Sequence, residues 1–152
     1  MGESLINYWG AHQFRGYSAG SRPQGAVHPL TLELLTDMQL PTDGLRSKSW
    51  IDFAAPAARP LDFVFTVCDQ AARETPPSWP GEPVIAHWGL DDPAAAHLTE
   101  AERWLAFSQA FKVLEIRVRL FSNLPIAALS RLHLQAWADA IGNARPDDAH
   151  GV

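Results

Sequence analysis

The stretch Leu61–Cys68, LDFVFTVC, decides the fold, because its near-continuous apolar run Phe63-Val64-Phe65-Thr66-Val67 is β-branched and aromatic and too short for a helix. A strand apolar on both faces belongs in a parallel sheet covered by helices, so this segment is read as the central strand of an α/β domain. Outward from it, Pro83–Trp88 (PVIAHW) reads as a second short strand, closed by the turn Gly89-Leu90-Asp91-Asp92-Pro93. Phe14–Ser18 (FRGYS) alternates like a third, ended by the loop Ala19-Gly20-Ser21-Arg22-Pro23.

Helical periods separate these runs. Glu3–Trp9 sets Leu5, Ile6 and Trp9 at helical spacing before Gly10, and His28–Met38 sets Leu30, Leu34 and Leu35 on one face behind Pro29. Pro41–Ser49 is a turn-rich link with the basic pair Arg46 and Lys48, Trp50–Phe53 adds a short helical turn, and Asp69–Gly81 reads as loop. Thr99 and Glu102 fit a capping box opening a long helix to about Phe121. Its stripe is Leu105, Phe107, Phe111, Leu114 and Val118, with Arg103, Lys112, Arg117 and Arg119 read as the solvated face. Beyond Pro125, Ala127–Ile141 makes a final helix ending at Gly142. Residues 1–142 are read as one domain and 143–152 as a polar tail.

Composition narrows the function. The chain has 152 residues, 47% of them hydrophobic, which is ample material for a single core. A formal charge of -5 has the wrong sign for neutralising phosphates along a nucleic acid, so no nucleic-acid partner is expected. No apolar run approaches the ~18 residues that cross a bilayer, and Met1-Gly2-Glu3-Ser4 lacks the basic and apolar parts of a signal peptide, so no membrane partner is expected. The single cysteine, Cys68, cannot form an intramolecular disulfide, which suits a reducing compartment and predicts a cytoplasmic protein. No Gly-rich nucleotide fingerprint occurs, and the six histidines show neither a metal-binding pair at helical spacing nor a carboxylate constellation nearby, so no cofactor and no metal are expected.

Chemistry is sought where open parallel sheets bind ligands, beyond the carboxyl ends of the strands. Three junctions qualify: Ser18 to Ser21, Cys68 to Asp69, and Trp88 to Asp92. Cys68 ends a strand with no Lys, Arg or His beside it in sequence to favour a thiolate, and as a free cysteine it is more often a small buried residue. Asp92 sits before Pro93 where a carboxyl group can act as a general acid, although Asp is also a common turn initiator. His87 is read as a structurally satisfied side chain.

The motifs Tyr17-Ser18-Ala19-Gly20-Ser21, Val27-His28-Pro29, Gly44-Leu45-Arg46-Ser47-Lys48-Ser49-Trp50, Phe63 to Ala71 (FVFTVCDQA), Trp79-Pro80-Gly81 and His87-Trp88-Gly89 with Asp92-Pro93 follow one another in order. That succession, spanning about Gly2 to Leu124, resembles the low-molecular-weight tyrosine phosphatase family in its arsenate-reductase-like branch. The resemblance implies a flavodoxin-like three-layer α/β/α fold with a short parallel sheet, and phosphomonoester hydrolysis or arsenate reduction. Family chemistry uses a thiolate in a Cys-x5-Arg loop between the first strand and first helix. Met1 to Asn7 resembles the interior of the helix after that loop, so the first strand, the nucleophile and the arginine are expected to be missing here. The chain is then expected to be inactive, taking arsenate or a phosphomonoester only with the loop restored. Asp92 matches the family general acid. Cys68 matches a redox cysteine of thioredoxin-coupled reductases, but Pro76 stands where its partner cysteine would be.

Three readings stay open: a family enzyme whose loop lies outside these residues, a noncatalytic descendant used for binding or self-association, and an unrelated reactive-thiol use of Cys68. The missing first strand would lie between the strands matching Phe14–Ser18 and Leu61–Cys68. Either those two close together into a three-stranded sheet, or a second copy covers the exposed edges. A homodimer is expected, because Leu5, Ile6, Tyr8 and Trp9 of the opening helix have little of their own domain to bury them.

Overall fold

The computed structural model describes residues 1–95 and 97–146. The α/β class stands: a parallel sheet of two strands, with helices packed on it. Strand β1 (Phe63–Thr66) pairs with β2 (Val84–His87) in the register Phe63↔Val84 to Thr66↔His87. Val84 and Ala86 face the core, whereas Ile85 and His87 point to the opposite face and are exposed. All four β1 residues are only half-buried and Val67 is exposed, so β1 is an edge strand and not the doubly covered centre expected from its sequence.

The expected strand at Phe14–Ser18 does not form, and the sheet does not close to three strands. Helix α1 (Gly2–Trp9) explains why, because its side chains take the backbone groups that a neighbouring strand would have used. The Gly16 N–H donates to Asn7 Oδ1 at 2.8 Å, Asn7 Nδ2 donates back to the Gly16 carbonyl at 2.9 Å, and the Ser18 N–H donates to Glu3 Oε2 at 2.9 Å. The helix lies so close that a Cβ on Gly16 would fall 1.6 Å from Ile6 Cγ2. Beyond this segment the only further pairing among the described residues is an isolated parallel bridge, Gly20↔Ser49.

Local signals set the other helices. Helix α2 (Pro29–Asp37) starts with Pro29, and His28 Nδ1 accepts from the Leu30 N–H at 3.2 Å. A five-residue helix α3 (Asp69–Arg73) replaces the loop expected after β1: Cys68 Sγ accepts from the Ala71 N–H, and the prolines that forbid helix begin only at Pro76. Helix α4 (Glu100–Ser122) opens on the expected Thr99–Glu102 capping box. The last expected helix is split, into a 3-10 turn at Ile126–Ala128 behind Pro125 and α5 (Arg131–Gly142), because the Ser130 hydroxyl caps a new start. Gly142 is the last residue of α5, as expected, and Asn143 is its C-cap. Residues 147–152 of the expected tail lie outside the described residues.

The core joins both strands to α1, α2, α4 and α5. Phe121 of α4 is its hub: Phe14 stacks on it with centroids 4.7 Å apart, and Phe63, Phe65 and Trp88 meet it edge-on. Trp88 Nε1–H satisfies itself on the Ala138 carbonyl at 2.9 Å, so the indole is buried without an orphaned donor. Leu5 is fully buried within this core, and only Tyr8 and Trp9 of α1 remain exposed. Two assignments on α4 change: Leu105 lies off the buried stripe, and Arg117, read as solvated, is 6% exposed. No helix among the described residues is long and apolar enough to cross a membrane.

Candidate functional site

At the carboxyl end of the sheet, the paired terminal residues of the two strands meet the start of α3. Thr66 Oγ1 lies 2.8 Å from His87 Nδ1, and His87 Nε2 lies 3.1 Å from Asp69 Oδ1. A neutral imidazole satisfies all three groups when Nε2–H donates to the carboxylate and Nδ1 accepts the Thr66 hydroxyl. Sequence reasoning missed this pair. The carboxylate is 18 residues from its histidine in the chain, and the signal was that both flank the ends of strands that pair. The imidazole lies against Gly89, where a Cβ would approach His87 Nε2 to 2.6 Å.

Cys68 stands between Val67 and Asp69 as the residue capping α3, half-buried, its sulfur 3.4 Å from the Ala71 nitrogen. Asp92 lies on the loop beyond β2, exposed, with Oδ1 accepting the Ala94 N–H at 2.9 Å in the turn that its sequence context anticipated. The structure does not join Cys68 and Asp92 by a hydrogen bond among the described residues.

The root of that loop is anchored. The Trp88 and Leu90 N–H groups donate to the Thr66 and Val67 carbonyls at 2.7 and 2.8 Å. Arg117 reaches from α4, its Nη1 donating to the Trp88 and Gly89 carbonyls and its Nε to the Ala144 carbonyl. Burial, and then the charge of Arg145, hold its pKa below the usual guanidinium value.

A second polar cluster ties α1 to the loop after Phe14–Ser18. Lys48 Nζ donates to Glu3 Oε2 at 2.8 Å, with the two side chains 4% and 14% exposed, and Ser18 donates to the same oxygen from its N–H and its hydroxyl. Burial opposes ionisation of Glu3, but the bonds from Lys48 and Ser18 outweigh it and hold the carboxyl below its ordinary pKa. Lys48, read as part of a basic linker pair, is thus a buried partner of α1. Two open depressions lie away from Cys68, His87 and Asp92. One, of about 400 Å³, is at the amino end of the sheet beside Asp62 and Arg131; the other, of about 630 Å³, is beside Glu3 and Tyr17. No group of three or more His, Cys, Asp or Glu among the described residues is placed to hold a metal ion.

Comparison with known families decides the kinship. The model of the low molecular weight phosphotyrosine protein phosphatase family matches residues 1–131. The chain belongs to that family. It is similar to the arsenate reductase of Shouchella clausii, 29% identical over 124 residues that cover 81% of this chain and 85% of that protein. The arsenate reductase of Oceanobacillus iheyensis is 30% identical over 107 residues, covering 70% and 73%, and that of Bacillus subtilis 27% identical over 123 residues, covering 81% and 85%.

Proposed function

We propose that these residues form the scaffold of an arsenate-reductase-type or phosphatase-type enzyme and do not complete its chemistry by themselves. The observation that carries this reading is the absence of any Cys-x5-Arg from the 152 residues: Cys68 is the single cysteine, and Glu74 occupies the place its arginine would need. Family chemistry requires a thiolate to attack arsenate or a phosphomonoester while loop amides and a guanidinium hold the oxyanion. Without them the oxyanion has no receptor and the reacting centre no nucleophile.

Asp92 is the group we assign as general acid. It is exposed on a loop whose root is held by Arg117, at the end of the sheet where a leaving oxygen would need a proton. Cys68 is assigned at most a redox thiol served by an external thiol, since Pro76 leaves no partner cysteine. The noncatalytic reading is favoured by one feature: both groups already have structural work, Cys68 capping α3 and Asp92 closing a turn. Joining a strand and loop bearing Cys-x5-Arg ahead of Met1 separates the two. The enzymatic reading expects turnover of phenyl phosphate or arsenate to appear, and Asp92→Ala then to slow phosphatase turnover by roughly 100-fold to 10,000-fold. A folded, loop-bearing chain with no turnover supports the noncatalytic reading, and full turnover in Asp92→Ala removes Asp92 as the acid.

A further inference from the structure

A helix, not a strand, lines the outer edge of β2. The N–H groups of Val84 and Trp88 donate toward β1, so the carbonyls of Pro83, Ile85 and His87 turn outward. Each of the three meets α5. Arg131 Nη2 donates to the Pro83 carbonyl at 3.2 Å and Gln135 Nε2 to the Ile85 carbonyl at 2.8 Å. Helix and strand keep step because four helical residues rise about 6 Å while two strand residues advance about 6.6 Å. Farther along, the Trp88 indole N–H donates to the Ala138 carbonyl at 2.9 Å, and Gly142 lies so close that a Cβ would stand 2.5 Å from the His87 carbonyl. Arg117 completes the run by joining the Ala144 carbonyl, just past α5, to those of Trp88 and Gly89. The family match ends at residue 131, the first of α5, so these contacts come from a helix beyond the matched segment.

We propose that α5 is the positioning element of the Asp92 loop: docked along β2, it fixes the segment His87–Leu90 from which that loop leaves, and when it lifts, the segment opens with it. Asp92 bonds to the Ala94 N–H within its own turn, so the root of the loop sets where the carboxylate stands against the sheet. That root is gripped from two sides. The Trp88 and Leu90 N–H groups bond to Thr66 and Val67 at the end of β1, and the Trp88 indole, 2% exposed, is held by α5. The catalytic meaning of the coupling rests on the reading of Asp92 as the general acid, whereas the coupling itself rests on these contacts alone.

Native-state amide exchange tests this in two arms. In the wild-type chain, protection at Trp88 and Leu90 should match that at Ala138 and Ile141 of α5, and should fall about tenfold or more below that of the core residues Leu35 and Leu114, marking an opening short of global unfolding. The second arm weakens α5 without removing any of its contacts to β2. Ala136 and Ala140 are exposed on the helix, and each Ala→Gly change should make α5 lift about fivefold more often. In Ala136→Gly/Ala140→Gly, exchange at Trp88, Leu90, Ala138 and Ile141 should therefore accelerate together, by about 25-fold, and the Trp88 indole N–H with them. Acceleration confined to α5, with Trp88 and Leu90 unchanged, overturns the proposal. So does a wild-type chain in which Trp88 and Leu90 open apart from α5, or only together with Leu35 and Leu114, and this arm decides the matter if the variant misfolds. Neither arm uses turnover, so a loop-bearing Asp92→Ala chain that keeps full activity would remove the acid and leave the coupling standing.

Discussion

Lys48→Met tests whether the opening helix is held by a buried charge pair. The wild-type lysine is 4% exposed and its Nζ lies 2.8 Å from Glu3 Oε2, so the substitution leaves a carboxylate, itself 14% exposed, with only Ser18 as partner. Removing one member of a buried pair costs about 3 to 5 kcal/mol, and because Ser18 still donates twice the lower figure applies, about 3 kcal/mol at neutral pH. For a domain of this size that lowers the melting temperature by about 6 to 12 °C. The cost should depend on pH with a definite sign. Glu3 has its folded pKa below the ordinary 4.5, so its pairing stabilises the wild type above that value and is lost as pH falls through the lower, folded one. In Lys48→Met the carboxyl is held down by Ser18 alone and can shed its buried charge by protonation at higher pH. Urea denaturation at about pH 7 and about pH 4 should therefore show the gap between the two proteins narrowing on acidification. Glu3→Gln/Lys48→Met, which removes both members of the pair, should recover most of the loss. An equal cost at both pH values, or a double variant no more stable than Lys48→Met, would refute the reasoning.

Two further substitutions probe how α4 and α5 hold the site. Gly142→Ala removes a helical glycine, a change worth up to about 1 kcal/mol in favour of the helix, yet its Cβ meets the His87 carbonyl at 2.5 Å and Trp88 Cδ1 at 2.9 Å, both parts of the packed core. The clash should win by about 1 to 2 kcal/mol in chemical denaturation and shift the His87 ring resonances, and a stabilised variant would contradict it. Arg117→Met strips the donor from the Trp88, Gly89 and Ala144 carbonyls and should cost about 3 kcal/mol, with faster amide exchange from Trp88 to Leu90. Unchanged exchange in that loop would mean that Arg117 does not anchor it.

The parts of the fold written in short-range patterns were legible. The Thr99–Glu102 capping box, Pro29 at a helix start and the apolar runs at Phe63 and Val84 each act within a few residues, and each forms where the sequence places it. Phe14–Ser18 was misread because alternation reports only that a segment is extended. Whether it becomes a strand depends on which groups take its backbone bonds, and Asn7 and Glu3 take them. Arg117 was misread for a related reason: a guanidinium on a helix is solvated by default, and nothing local reveals three carbonyls converging from Trp88, Gly89 and Ala144. Of the candidate site, the positions of Cys68 just past β1 and of Asp92 on the loop beyond β2 were visible, since a strand end is a local event. The His87–Asp69 contact was not, because it needs the register of two paired strands.

The most direct measurement of the central claim is turnover by the 152-residue chain, with phenyl phosphate and with arsenate plus a thiol reductant, beside Cys68→Ser as control. The control is expected to fold, serine being a good substitute where Cys68 caps α3, with a change in stability within about 0.5 kcal/mol. The account predicts no turnover above buffer for either protein, because no Cys-x5-Arg occurs in these residues and the proposed chemistry needs one. Turnover by the wild-type chain that disappears in Cys68→Ser would contradict it, and would make Cys68 the nucleophile.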